Sequence, residues 1–138
     1  MGKQFPRSPY ERLLGYVHLP RLIDKARFHR RGQLDGYNYK TLGFDKHLLT
    51  FLTIDPETFE EVANTLQTDE AIAEWVLKNG VRHSPEQIEE WNQQMISRHP
   101  DTAEKRARFK FFLKQSGGES RPEVKTYFDL IELDEKRL

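Results

Sequence analysis

Apolar residues recur along this chain at three- and four-residue spacing, the interval that lines one face of an α-helix. Leu19, Leu22, Ile23 and Ala26 form one such stripe, and Phe59, Val62, Ala63 and Leu66 the next. Ile72, Trp75 and Val76 follow, then Ile88, Trp91 and Met95, then Phe109, Phe112 and Leu113. Val124, Tyr127, Phe128 and Ile131 close the series. No stretch shows the sustained apolar/polar alternation of a half-buried strand.

Helix-start signals precede these stripes. Ser8-Pro9-Tyr10-Glu11 reads as a capping box with proline at the first helical position, and Gly15 offers its stop. Pro20 opens a second helix that Gly32 can end. Asp55-Pro56, Thr68-Asp69-Glu70, Ser84-Pro85-Glu86-Gln87 and Asp101-Thr102-Ala103-Glu104 supply four further N-caps. Gly80 and Gly117-Gly118 are matching stops, and a last helix is expected from near Pro122 to about Asp134. The pattern predicts an all-α fold: a single compact multi-helix domain over residues 1–138, with about seven to eight short helices.

One connection differs. Gly32 to Gly43 is long for a helical domain and rich in glycine and tyrosine, the kind of segment that is functional or disordered. Tyr37 and Tyr39 argue for burial against something, because two aromatics gain by leaving water. A pocket wall and a structural crossover are both open readings.

Composition narrows the function classes. The chain has no cysteine, which removes disulfides, thiolate metal sites and a cysteine nucleophile. Its first residues lack a signal-peptide core. Its longest apolar run, Leu48 to Ile54, is far too short to span a bilayer. A soluble, cytoplasmic protein without membrane insertion is expected. Net charge is zero but unevenly spread. Residues 1–31 hold eight Lys/Arg against Glu11 and Asp24, whereas residues 55–104 hold twelve acids against Lys78, Arg82 and Arg98. Such a split either steers an anion or pairs the two segments.

Ser8-Pro9, the run Leu14-Gly15-Tyr16-Val17-His18-Leu19-Pro20-Arg21-Leu22-Ile23-Asp24-Lys25, and Gly43-Phe44-Asp45 with Leu49 and Phe51-Leu52 make a distinctive set. Ile88, Trp91-Asn92, Met95 and the closing Phe128-Asp129 continue it. In these residues the chain resembles a bacterial family known as a domain of unknown function, family 5069. The resemblance spans essentially the whole chain and implies a bacterial, stand-alone protein. It supplies no reaction, cofactor or catalytic residue.

The residues themselves point to the stretch from Tyr16 to Asp45. Pro20 starts a helix whose first N–H groups lie at the positive end of its dipole. His18 sits just before it, and Arg21 and Lys25 lie one turn apart. Together they suit a phosphate or carboxylate. Asp24 is the expected partner of Arg21, Lys25 or His18. The competing reading is a solvated, self-paired helix face. Tyr37 and Tyr39 would wall the site, with Asp45 at its end. On the helix after Pro85, Asn92 and His99 fall on the apolar face beside Trp91. Asn92 is then either a buried structural hydrogen-bonder or, with Trp91, a pocket lining reached from the tyrosine loop.

Other chemistries are weaker. His18, His29, His47, His83 and His99 lack zinc-motif spacing, so no metal or other cofactor is called for. A nucleophile turn and a phosphate-binding glycine loop are missing. The run from Lys105 to Lys114 is a basic amphipathic segment suited to a membrane surface or an acidic partner. The neutral charge balance argues against nucleic acid. The expectation is a small helical domain binding an anionic small molecule or a protein partner. The alternative is an enzyme using His18 as general acid or base, with Asp24 as orienter and Arg21 as stabiliser. Oligomeric state does not follow from the sequence.

Overall fold

The computed structural model describes residues 4–34 and 37–138. Asp35 and Gly36 of the tyrosine loop, and Lys3 of the basic segment, lie outside the described residues. The described chain is mostly helical, with seven helices and one two-stranded sheet. It forms two compact units, Met1–Glu89 and Glu90–Leu138.

Residues 8–15 do not form the expected helix. The Ser8 hydroxyl accepts from Tyr10 N–H at 3.1 Å and the Glu11 carboxylate from Ser8 N–H at 3.3 Å. The capping-box residues thus close a turn. The chain then makes a hairpin of β1 (Arg12–Leu13) and β2 (Tyr16–Val17), with Arg12 opposite Val17 and Leu13 opposite Tyr16. Leu14 and Gly15 are both left-handed, at φ 57° and 86°. Two successive left-handed residues are what a two-residue hairpin turn with the right twist requires. Gly15 is a turn residue, not a helix stop.

Helix α1 (Leu19–Arg30) starts one residue before the expected Pro20, which lies in its first turn. Leu19, Leu22, Ile23 and Ala26 are completely buried, each large one contributing about 1.5–3 kcal/mol. The opposite face is not solvated either, since Arg21, Lys25 and Phe28 are also buried. Helix α2 (Gly43–Leu52) begins with no side-chain cap at Leu42, so it gave no start signal. Helix α3 (Pro56–Thr65) is capped by Asp55, which accepts from Thr58 N–H, and packs on α1. Arg27 spans that contact, donating to the carbonyls of Ala63 and Leu66, while Asn64 donates to that of Ala26. Helix α4 (Asp69–Asn79) is capped by Thr68. Helix α5 (Pro85–Ile96) starts with a reciprocal Ser84/Gln87 pair.

The uneven charge is largely settled within this unit. Arg7 bonds Asp24 and Asp69, Arg30 bonds Glu61, Lys40 pairs with Glu57, and Arg12 pairs with Glu89. Basic N-terminal residues meet the acidic segment, as the pairing alternative expected.

In the second unit, α6 (Ala103–Gln115) is capped by Thr102. Helix α7 (Tyr127–Asp134) starts with a Thr126/Asp129 capping box, later than the expected Pro122. Phe109, Val124 and Leu133 form a core with Leu113, Tyr127 and Leu130 against it. Phe112 was expected in that core but is exposed, and His99 is exposed beyond the end of α5.

Candidate functional site

His18 is fixed before its side chain is considered. Its backbone is left-handed (φ 73°), a costly state for a residue with a Cβ. The state is over-determined: His18 N–H donates to the carbonyls of Pro9 and Glu11, and its own carbonyl accepts from Leu22 N–H. Such strain, held by its surroundings, clusters at functional positions.

From there the imidazole reaches α2. Nε2 lies 2.6 Å from Oδ1 of Asp45, in a pair that is 1% and 0% exposed. Lys25 Nζ donates to both Asp45 oxygens, at 3.3 and 3.4 Å, and to the carbonyl of Asn38 at 2.9 Å. Lys40 N–H donates to Oδ2 at 3.0 Å. Phe44 tilts against the His18 ring, centroid to centroid 5.9 Å.

Electrostatics sets the protonation states. Burial alone would raise the Asp45 carboxyl, but the His18 hydrogen bond and the Lys25 charge outweigh it and hold it below its ordinary range. Burial pushes the His18 imidazole down, and the Asp45 bond offsets this only in part. At neutral pH the pair is therefore carboxylate and neutral imidazole. A carboxylate can only accept, so Nε2 carries the hydrogen and Nδ1 bears the lone pair.

Beside this pair, Arg21 donates to the carbonyl of Arg7 at 3.1 Å. Its Cζ lies 5.8 Å, and Lys25 Nζ 6.0 Å, from the centroid of the Tyr37 ring. The structure thus brings together His18, Arg21, Lys25, Tyr37 and Asp45. The helix start is interior, not a solvated face.

Asp24 belongs elsewhere, and its expected role beside His18 is corrected. It takes the Arg7 guanidinium at 3.1 Å from Nε and 3.1 Å from a terminal nitrogen, while Asp69 takes the other at 2.6 Å. Tyr16 is placed with His83, its hydroxyl 2.9 Å from Nδ1, and with Phe51, which stacks on His83 at 3.7 Å. β2 ends at Val17 and the backbone turns left-handed at His18, so Tyr16 and His18 are not held on one strand face. Trp91 and Asn92 lie in the second unit, where both are buried.

Tyr39 donates its hydroxyl at 2.7 Å to Glu60, a carboxylate also contacted by His29 Nδ1 at 2.7 Å. Burial first, then the Glu60 bond, pushes the Tyr39 phenol up, so it stays a donor. Lys40 joins the two carboxylates, with its backbone on Asp45 and its ammonium 2.8 Å from Glu57 and 3.5 Å from Glu60. Lys40, Asn38 and Glu60 were not singled out in the sequence, and His29 was weighed there only as a metal ligand. The signal available was the single buried acid of α2, Asp45, which had to find cations.

Lys40 also lines an open groove of about 560 Å³, with Thr41, Lys46, Leu49, Thr50 and Ile54 among its walls.

The model of a family described as a domain of unknown function, DUF5069, matches residues 3–137. The chain belongs to this family. The match takes in the whole His18–Asp45 constellation and α6 alike. No curated protein matches the chain. Membership in DUF5069 carries no reaction, so chemistry rests on the site.

Proposed function

We propose that this family member is a small helical binding domain that takes an anionic small molecule, a carboxylate or phosphate, at Arg21 and Lys25. The observation that carries the reading is the convergence of two sequestered cations, 2% and 6% exposed, on the Tyr37 ring, with Lys25 also on the Asp45 carboxylate. Cations shielded from water attract an anion far more strongly than surface ones. The Tyr37 ring lies against both cations, and the segment that follows it, tied through Asn38, Tyr39 and Lys40, is the part that has to yield to admit a ligand.

The test is a thermal-shift screen of inorganic phosphate, sulfate and common carboxylate metabolites on the native chain and on Arg21→Met. A ligand at a hundred times its dissociation constant adds about 2.7 kcal/mol, which raises the midpoint by roughly 5–10 °C in a domain of this size. A hit absent from a folded Arg21→Met supports the reading. A flat screen with the native chain rejects it, and points to a protein partner instead.

A second reading is favoured by one separate observation, the 2.6 Å His18–Asp45 pair. A neutral imidazole oriented by a buried carboxylate is the arrangement of a general base. In this reading Asp45 replaces Asp24 as the orienter. His18→Gln keeps a donor toward Asp45 and removes the base. Any turnover found on a panel of esters and phosphoesters should vanish in that variant, and unchanged turnover rejects the role.

A further inference from the structure

Helix α6 carries a surface that its own core does not use. Phe109 and Leu113 turn inward, whereas Phe111 and Phe112 stand 57% and 46% exposed, edge to face at 5.5 Å. Around them are Lys105, Arg106, Arg108, Lys110 and Lys114, against one acid, Glu104. Lys105 pairs with Asp101 and Lys114 with Glu119. Among the described residues, Arg106, Arg108 and Lys110 form no ion pair. At 100° per residue, Arg108 lies angularly between the two phenylalanines and Lys110 flanks Phe111 on its far side.

Phe111 and Phe112 are neighbours and so form a small contiguous apolar patch set in a cationic field, not two scattered residues. Both rings project from the helix into solvent, so the pair fits a soft surface that side chains can enter. The occupant must also be anionic to complement three cations. Aromatic rings at the level of lipid headgroups, with Lys and Arg against anionic phosphates, meet both conditions.

We infer that the exposed face of α6, centred on Phe111, Phe112, Arg108 and Lys110, adsorbs to the surface of an anionic lipid bilayer. The contact is peripheral: no helix among the described residues is long and apolar enough to cross a membrane. It is independent of the Arg21/Lys25 site.

The full chain is sedimented with vesicles of phosphatidylcholine alone and with equal parts phosphatidylcholine and phosphatidylglycerol. Binding is expected with the anionic vesicles only and should weaken as salt is raised. Arg108→Glu and Lys110→Glu should each lower the partition constant by about fivefold or more, the effect of one basic residue near such a surface. Phe111→Ser/Phe112→Ser should abolish binding at an unchanged melting temperature, since neither ring is in the core. Phe111→Trp keeps an aromatic there and should show a blue-shifted emission on anionic vesicles. No sedimentation with anionic vesicles, sedimentation that survives the double serine variant, or no emission shift overturns the inference. Binding of a single-stranded oligonucleotide through the same phenylalanines, without vesicle binding, also overturns it and assigns the face to nucleic acid.

Discussion

His18 Nε2 and Asp45 Oδ1 meet at 2.6 Å across 27 residues of chain, the first residue at the start of α1 and the second in the first turn of α2. Because Asp45 has no exposure, its charge persists only through the groups around it.

Removing that charge strands Lys25. Asp45→Asn should destabilise the fold by about 3–5 kcal/mol, the loss seen when one partner of a buried ion pair is deleted. Lys25→Met should be milder, about 1–3 kcal/mol, because Asp45 keeps His18 and the Lys40 N–H. Urea titration of both variants and the double variant measures the coupling. Strictly additive losses would show that the two side chains do not act together.

Acid should weaken the fold in two stages. His18 has its folded value below the ordinary 6.5, so the unfolded chain binds the proton first. Its contribution is complete above about 6.5 and is lost as pH falls below. Asp45 is likewise held below its ordinary 3.8; its contribution is complete above that value and disappears as pH falls through the lower folded one. Urea midpoints should decline from pH 7 to pH 5 in the native chain. His18→Gln should lessen the decline in this interval, leaving the part due to His83, whose imidazole burial also lowers, and leave the more acidic loss in place. A native midpoint that holds steady there would contradict the buried neutral imidazole.

Tyr39→Phe deletes the hydroxyl on Glu60 and should cost about 1.5–3 kcal/mol, as for a hydrogen bond to a charged acceptor. It also releases one tie of the segment that follows Tyr37. Amide exchange at Lys40, whose N–H rests on Asp45, should quicken in this variant. Unchanged exchange would mean that the tie does not hold the segment.

Two glycines test the turns and the packing. Gly15→Ala places a Cβ at φ 86° and should lose about 1–2 kcal/mol. A Cβ at Gly118 meets Leu113 and Leu133, so Gly118→Ala should lose about 1–3 kcal/mol by overpacking. Thermal midpoints equal to the native chain would refute either placement.

Four helices were legible where a polar cap preceded an apolar stripe, whereas the Thr126 cap of α7 was passed over for Pro122. Asp55, Thr68, Ser84 and Thr102 each start a helix where expected. Helix α2 begins after Leu42, which has no capping oxygen, and so left no mark. The hairpin was illegible because four strand residues are too few to show alternation, and Ser8 to Glu11 imitates a helix start. The region of the candidate site was legible in the type and spacing of His18, Arg21 and Lys25. Its pairing was not, because Asp24 is near in sequence whereas Asp45 is near in space. Burial of Arg21 and Lys25 could not be read from α1 alone, since only the elements packed on its second face decide it. On α6, Phe112 fell at core spacing beside Phe109, yet the small second core closes over Phe109 and Leu113 and leaves Phe112 outside.

Arg7 touches two aspartates that lie 45 positions apart, Asp24 on α1 and Asp69 on α4. One guanidinium thereby serves as a tethered counter-ion for both. A gene fragment whose first codon falls after Arg7 would encode two carboxylates facing each other with their neutraliser missing. The mutual repulsion would then act between α1 and α4, so the practical boundary for a minimal clone lies upstream of the hairpin, not at the first helix.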